Sequence, residues 1–206
     1  MNLNYYINLN GKSTEKKIIL LGTYPGKQTL DDLKKDNTLT PYRKSGNLFY
    51  KCFYDNDCLT EEEKKAKIKE SKYFIFDFFE NVKRKDNDEV PKSDREIDFK
   101  KSKAFINDFV GLKEQCESID TIYFLGKTVF KFFSRFIQDN MKVREFYNDF
   151  DFYVLPSTSG MNLNKKSQTS VYLNKIKDTK PFKMDDLENC KTFKESFEEI
   201  YERKHK

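Results

Sequence analysis

Four short apolar runs of this chain each end in residues suited to contact with an anion or a base. After Ile18–Leu21 comes Gly22-Thr23-Tyr24-Pro25-Gly26-Lys27. Two glycines and a proline fix a tight loop there, and its backbone amides can point at an anion or a base edge. The loop is not a P-loop, because G-x-x-x-x-G-K-[S/T] is absent. Asp77 follows Tyr73–Phe76 and is a candidate carboxylate, although an Asp in that place also caps helices and anchors loops. Gly126-Lys127-Thr128 follows Ile122–Leu125 and opens a helix. Pro156-Ser157-Thr158-Ser159-Gly160-Met161-Asn162 follows Phe152–Leu155, and hydroxyls in that setting suit phosphate contacts. Each segment alone also reads as an ordinary turn or helix cap. Their coincidence at one edge of a sheet is what would carry chemistry.

Other chemistries are poorly provided for. The single histidine, His205, sits in a charged tail, which argues against a His-based triad or general base. Cys52, Cys58, Cys116 and Cys190 form no C-x-x-C pair, so neither a zinc nor an iron–sulfur site is expected. No apolar run approaches the ~18 residues that span a bilayer. Met1–Asn10 lacks the charged start, apolar middle and small-residue cleavage site of a signal peptide. Reduced thiols and a cytoplasmic location are the expectation, with nucleoid association if the source is bacterial. The net charge of +5 is too small for a polybasic arm, so local patches must matter more than the sum.

The elements that must position these loops follow from the apolar pattern. The 206 residues make one ordinary domain, and an aromatic share of 16 % supplies much of its core. The four apolar runs are continuous rather than alternating, the habit of strands buried on both faces of a parallel sheet. Helical patterns lie between them. Gln28–Lys35 is a short candidate, and Asn47–Tyr54 can open a helix. Thr60–Lys72 starts with a Thr cap and three glutamates and then turns basic, which suits the helix dipole. Phe99, Ala104, Phe105, Phe109 and Leu112 mark one longer helix, and Val129, Phe132, Phe133, Phe136 and Ile137 mark another.

The alternation of strand and helix predicts an α/β fold, a three-layer α/β/α sandwich around a central four-stranded parallel sheet. The polar stretch Lys83–Asp98 reads as a surface loop, and Lys183–Arg203 as a last helix with a basic end. At the start, Leu3, Tyr5, Ile7 and Leu9 alternate with asparagines, which predicts an edge strand or arm ending at the turn pair Asn10-Gly11. The expected organisation is an arm or edge strand over 1–15, the α/β/α domain over 16–180, and a C-terminal helix and basic tail over 181–206 packed on the same domain.

Taken together, Ile18–Thr29 (IILLGTYPGKQT), Pro41–Tyr50 (PYRKSGNLFY) and Tyr153–Asn162 (YVLPSTSGMN) resemble the uracil-DNA glycosylase superfamily. Within it the resemblance is closest to the hypoxanthine-DNA glycosylase-like branch. Phe74–Asp77, Arg84, Asp94 and Thr121–Phe133 fall between these motifs in the expected order, and the likeness covers roughly residues 16–180. Better-known members carry Asp or Asn where this chain has Tyr24, and His or Asn where it has Leu155. The hypoxanthine-like branch accepts both changes, because its Asn lies in the N-x-F-aromatic segment. That branch commonly has Trp where Tyr50 stands and Pro-Ala where Gly160-Met161 stand.

The resemblance implies a monofunctional hydrolase that breaks the N-glycosidic bond of a deaminated base such as hypoxanthine or uracil in DNA, with no metal and no cofactor. It implies a role in base excision repair, with damaged DNA as the partner, no membrane, and a monomer. Asn47 would orient the attacking water. Gly22, Thr23, Tyr24, Pro25 and Gly26, with Phe49, Tyr50 and Asp77, would form the base pocket. Ser157, Thr158 and Ser159 would grip the DNA backbone, and Lys27, Arg43, Lys44, Lys127, Lys165 and Lys166 would neutralise phosphates. Met161 or Leu163 would fill the gap left by an extruded base. Two other readings stand beside this one: a non-catalytic nucleic-acid or nucleotide binder on the same fold, and an unrelated flavodoxin-like binding domain. Pro25 counts against the latter, since it removes an amide donor from the first loop.

Overall fold

The computed structural model describes residues 1–11, 15–26, 29, 31–32, 35–36, 39–42, 49–54, 60–85, 91, 93–158 and 179–188. Four parallel strands form one sheet: β1 (Ile18–Gly22), β2 (Tyr73–Asp77), β3 (Thr121–Leu125) and β4 (Asp151–Leu155), in the order β2-β1-β3-β4. The register places Gly22 beside Asp77 and Leu125 beside Leu155. The strand after β1 lies on one side of it and β3 on the other, so the sheet reverses its direction of growth between β1 and β3. In open parallel sheets the crevice beyond the carboxyl ends at such a reversal is where ligands gather.

Alternate strand residues feed two cores. Ile19, Leu21, Phe74, Phe76, Ile122, Phe124, Phe152 and Val154 face one layer. That layer holds α5 (Phe109–Gln115), α6 (Lys127–Gln138) and α7 (Met141–Phe146), through Phe109, Phe130, Phe133 and Val143. Ile18, Leu20, Ile75, Leu125 and Leu155 face the other, which holds α2 (Phe49–Tyr54) and α3 (Glu61–Glu70). Burial on both faces is why the strand sequences are continuously apolar. The α/β/α expectation holds, and each strand lies within one residue of its expected run.

Thr60 caps α3 in a reciprocal box with Glu63, as its sequence predicts. The other end of α3 has a less legible cap. The buried Lys16 Nζ donates to the carbonyls of Ile68, Lys69 and Ser71 at 2.5, 3.1 and 2.8 Å. Burial pulls its pKa down to about 8, and the helix C-terminus supplies the negative potential that keeps the ammonium there.

Three expectations are corrected. The first segment is not an edge strand: α1 spans Leu3–Asn10, with Asn2 accepting from the Tyr5 N–H and Gly11 ending it at φ 75°. Tyr6, Ile7, Leu9 and Asn10 are all buried, and such adjacent pairs three residues apart suit one face of a helix rather than one face of a strand. The Asn10 side chain accepts from Ile75 N at 2.7 Å and donates to Ile75 O at 2.9 Å. It thereby satisfies the free edge of β2, the task a further strand would have performed.

The long helix expected from Phe99 to Leu112 is broken. α4 (Phe99–Ser102) runs into a 3₁₀ turn at Lys103–Phe105, and α5 starts afresh behind Asp108, which accepts from Gly111 N. Between them Ile106 pairs with Phe79, and Asn107 N donates to Phe78 O, so backbone hydrogen bonds to the segment after β2 replace helical ones. Finally, the described part of Lys83–Asp98 is not a free surface loop. Arg84 pairs with Ile97, and Pro91 and Ile97 are buried, because their apolar side chains close over the β1–β2 end of the sheet.

The apolar core extends to the C-terminal side as well. Phe182 bridges Phe152, and α8 (Met184–Glu188) opens with the fully buried Met184. The rest of the expected last helix lies outside the described residues. Thr29, Asp31, Asp32 and Lys35 of the Gln28–Lys35 candidate are helical.

Candidate active site

The carboxyl ends of β1 and β2 meet in a buried carboxylate held by two phenols. Tyr6 donates to Asp77 Oδ2 at 2.6 Å and Tyr42 to Asp77 Oδ1 at 2.8 Å. Asn107 donates to the Asp77 main-chain oxygen at 2.8 Å, which fixes the strand end. Asp77 is wholly buried, and burial pushes its carboxyl up to about 6 against the pull of both phenols. The phenols move far above their ordinary range, because they too are buried and face the Asp77 charge.

Gly22 belongs to this arrangement through what it lacks. A Cβ there would stand 1.9 Å from Tyr42 Oη and 2.3 Å from Asp77 Oδ1, so the Tyr42–Asp77 bond lies across the glycine. Tyr42 has φ 60°, a left-handed conformation that a bulky residue adopts only when its surroundings impose it. The Asp77 bond and a stacked Phe49 ring, 4.3 Å away at 19°, impose it here.

The loop after β1 is fastened to the 91–98 segment. Thr23 Oγ1 donates to Asp94 Oδ2 at 2.7 Å, and the Tyr24 hydroxyl donates to the Pro91 carbonyl. Ladder hydrogen bonds continue past the strands, from Phe78 N to Gly22 O and from Phe79 N to Thr23 O. Beyond them Pro25 and Gly26 emerge half-exposed, and Gly26 has φ 79° with nothing within 4 Å of a notional Cβ. That backbone faces open space, as a ligand-lining loop must.

The other half of the edge comes from β3 and β4. Gly126, at φ 120°, precedes α6, and a Cβ on it would meet Ser157 at 3.4 Å. The two segments therefore pack directly on each other. Thr158 is buried, Ser157 half-buried, and Lys127 exposed at the first residue of α6.

The residues named from sequence thus divide. Gly22, Thr23, Tyr24, Pro25, Gly26, Asp77, Lys127, Ser157 and Thr158 lie together at the carboxyl edge. Phe49 and Tyr50 lie under it, in the aromatic cluster of α2. Phe49 reaches the edge through Tyr42, while the Tyr50 hydroxyl turns to the Pro41 carbonyl at 2.8 Å. Asn47, Lys27, Arg43, Lys44, Ser159, Met161, Leu163, Lys165 and Lys166 fall outside the described residues. Tyr6, Tyr42 and Asn107 hold Asp77, and sequence reasoning passed over all three. Tyr42 stands inside the Pro41–Tyr50 motif and was open to notice; Tyr6 and Asn107 carry no local signal.

Among the described residues no group of three or more His, Cys, Asp or Glu side chains is placed to hold a metal ion, and no helix is long and apolar enough to cross a membrane. Cys52 and Cys116 are buried thiols, and burial raises Cys52 to about 11.

A four-stranded parallel α/β/α domain with its polar groups gathered at one carboxyl edge defines a class of fold. Comparison with known proteins narrows it. Residues 10–179 match the model of the Uracil DNA glycosylase superfamily, and the chain belongs to that superfamily. It is also similar in fold to the solution NMR structure of a candidate uracil DNA glycosylase from Methanosarcina acetivorans. The TM-score is 0.51 and the identity 21 %, over 79 % of this chain and 89 % of that one. Among curated proteins none matches the chain.

Proposed function

We propose that this protein is a monofunctional DNA glycosylase that hydrolyses the N-glycosidic bond of a deaminated base, hypoxanthine or uracil, without metal or cofactor. The superfamily match over residues 10–179 carries this reading. The gathered carboxyl edge supports it, because a base extruded from DNA needs a concave, dipole-lined end to enter. The hypoxanthine-like branch is favoured over the better-known members because Tyr24 and Leu155 stand where those place polar side chains.

The roles follow from what glycosidic hydrolysis requires. The Gly22–Gly26 loop lines the base pocket, with Asp77 and its two phenols buried beneath it as support and Phe49 and Tyr50 packed below. Backbone dipoles of that loop stabilise the base as it departs with negative charge. Asn47 orients the water. Ser157, Thr158 and Ser159 hold the DNA backbone, with Lys127, Lys27, Arg43, Lys44 and Lys165 neutralising phosphates. Met161 or Leu163 occupies the vacated place in the stack. The protein acts as a monomer in the compartment that holds the DNA.

The test is a labelled-oligonucleotide panel, single- and double-stranded, each carrying one hypoxanthine, uracil, xanthine or alkylated adenine, with alkali to reveal abasic sites. Wild type is expected to give lesion-specific abasic sites, and Asn47→Ala to slow their formation by about 100-fold or more. Salt-sensitive DNA binding with no base release from any lesion would replace this reading with that of a non-catalytic binder.

A further inference from the structure

Two carboxylates stand at the β1–β2 end of the site, and the structure gives them different capacities. Asp77 is wholly buried, with both oxygens accepting from phenols, so neither substrate nor water reaches it without dismantling the site. Asp94 is half-buried, and among the described residues its one side-chain hydrogen bond is the 2.7 Å bond that Oδ2 accepts from Thr23. The described polar side chains of the loop after β1, Thr23 and Tyr24, are otherwise occupied. Thr23 is spent on Asp94, and Tyr24 turns its hydroxyl to the Pro91 carbonyl. Glu96, on the same turn as Asp94, pairs with Arg84 at 3.3 Å. The bond from Thr23 holds Asp94 against the very loop that would line the base pocket, and it engages Oδ2 while Oδ1 takes no hydrogen bond among the described residues.

We propose that Asp94 is a catalytic residue of the glycosylase reaction, the anion that faces the substrate sugar and takes the proton of the attacking water. The inference rests on the glycosylase reading above and adds a group to it. In the step, the water oxygen bonds to C1′ of the sugar as the C1′–N bond breaks. The bonding pair leaves with the base, and the water proton passes to the Asp94 carboxylate. Solvent then protonates the departed base and returns Asp94 to its ionised form. Before the proton moves, the carboxylate stabilises the oxocarbenium-like sugar by its charge. Asn47 orients the water, and Asp94 supplies the basicity an amide lacks.

Several groups face Asp94. Thr23 and Tyr24 come from the loop after β1, Tyr42 and Asp77 act on it electrostatically from the β2 side, and Glu96 with Arg84 lies on its own side. Burial raises the Asp94 carboxyl and the Thr23 hydroxyl lowers it again. Tyr24 and Tyr42 are pushed upward and stay neutral throughout the working range. Asp77 is the other carboxylate that burial raises at this end of the sheet, and the experiment must separate the two.

The experiment is single-turnover base release with enzyme in excess, from about pH 4.5 to about pH 8, for wild type, Asp94→Asn, Asp94→Glu and Thr23→Val. Affinity for the same lesion DNA and thermal unfolding are measured alongside. Asp94→Asn is expected to lose about 100-fold or more in rate, to keep wild-type DNA affinity, and to lose the acid limb of the pH–rate profile. Asp94→Glu should recover part of the rate. Thr23→Val removes the bond that favours ionised Asp94, so it should move the acid limb to higher pH, and it serves as the readout if Asp94→Asn does not fold. An Asp94→Asn enzyme with wild-type rate, or with its acid limb intact, overturns the inference while leaving the glycosylase reading standing. A wild type that releases no base from any lesion overturns both.

Discussion

Asp77 is the residue whose environment has the plainest energetic consequence. Its carboxyl rises from 3.8 to about 6 on folding, chiefly through burial. A raised carboxyl pKa means that the native state binds a proton where the unfolded chain does not. The ionised form therefore costs stability at neutral pH, and the cost is relieved as pH falls through about 6 and is gone below the unfolded value. Between about pH 7 and about pH 5 the relief amounts to roughly 1 kcal/mol. Asp94 is raised as well and acts with the same sign. Glu61 and Glu63 are lowered and lose their contributions only as pH falls further. Urea unfolding of wild type against Asp77→Asn is expected to diverge by that amount over the window, with the variant flatter. Parallel curves would mean that Asp77 ionises in the native state as it does in a free chain. The positions of Gly22 and Asp77 were legible because each ends an apolar run. Their partners were not, because Tyr6 and Tyr42 reach Asp77 from 71 and 35 residues away.

At the scale of elements, what could be read was whatever a single period expresses. Continuous apolar runs located all four strands, and the Thr60 box located the start of α3. The misread elements are those where a tertiary partner decides. In α1 the two periods compete over eight residues, and burial of Asn10 against Ile75 settles the matter in favour of the helix. Between Phe99 and Leu112 the apolar spacing suits one helix, yet the backbone at Ile106–Asn107 pairs with the segment after β2 instead. The claim about α1 is open to measurement. Asn10→Ala leaves the buried N–H and C=O of Ile75 without partners and is expected to cost about 2–4 kcal/mol in unfolding free energy. A loss below about 0.5 kcal/mol would mean that α1 does not secure the edge of β2.

For the whole molecule, the arrangement of strands does what no single motif does. The reversal between β1 and β3 brings the Gly22–Gly26 loop, Asp77, Gly126-Lys127 and Ser157-Thr158 to one carboxyl edge of the sheet although they are spread over most of the chain. The packing does not stop at the limits of the superfamily match: α1 and the Phe182–Met184 segment enter the same core as the sheet. The proposed reaction at this edge is hydrolysis of a glycosidic bond with nothing further done to the DNA. Incubating lesion-bearing duplex with the protein and separating the products, without alkali, tests it most directly. The expected products are free hypoxanthine or uracil together with an abasic strand of unbroken length. Intact lesion DNA, or a strand cut before any alkali is added, would contradict it.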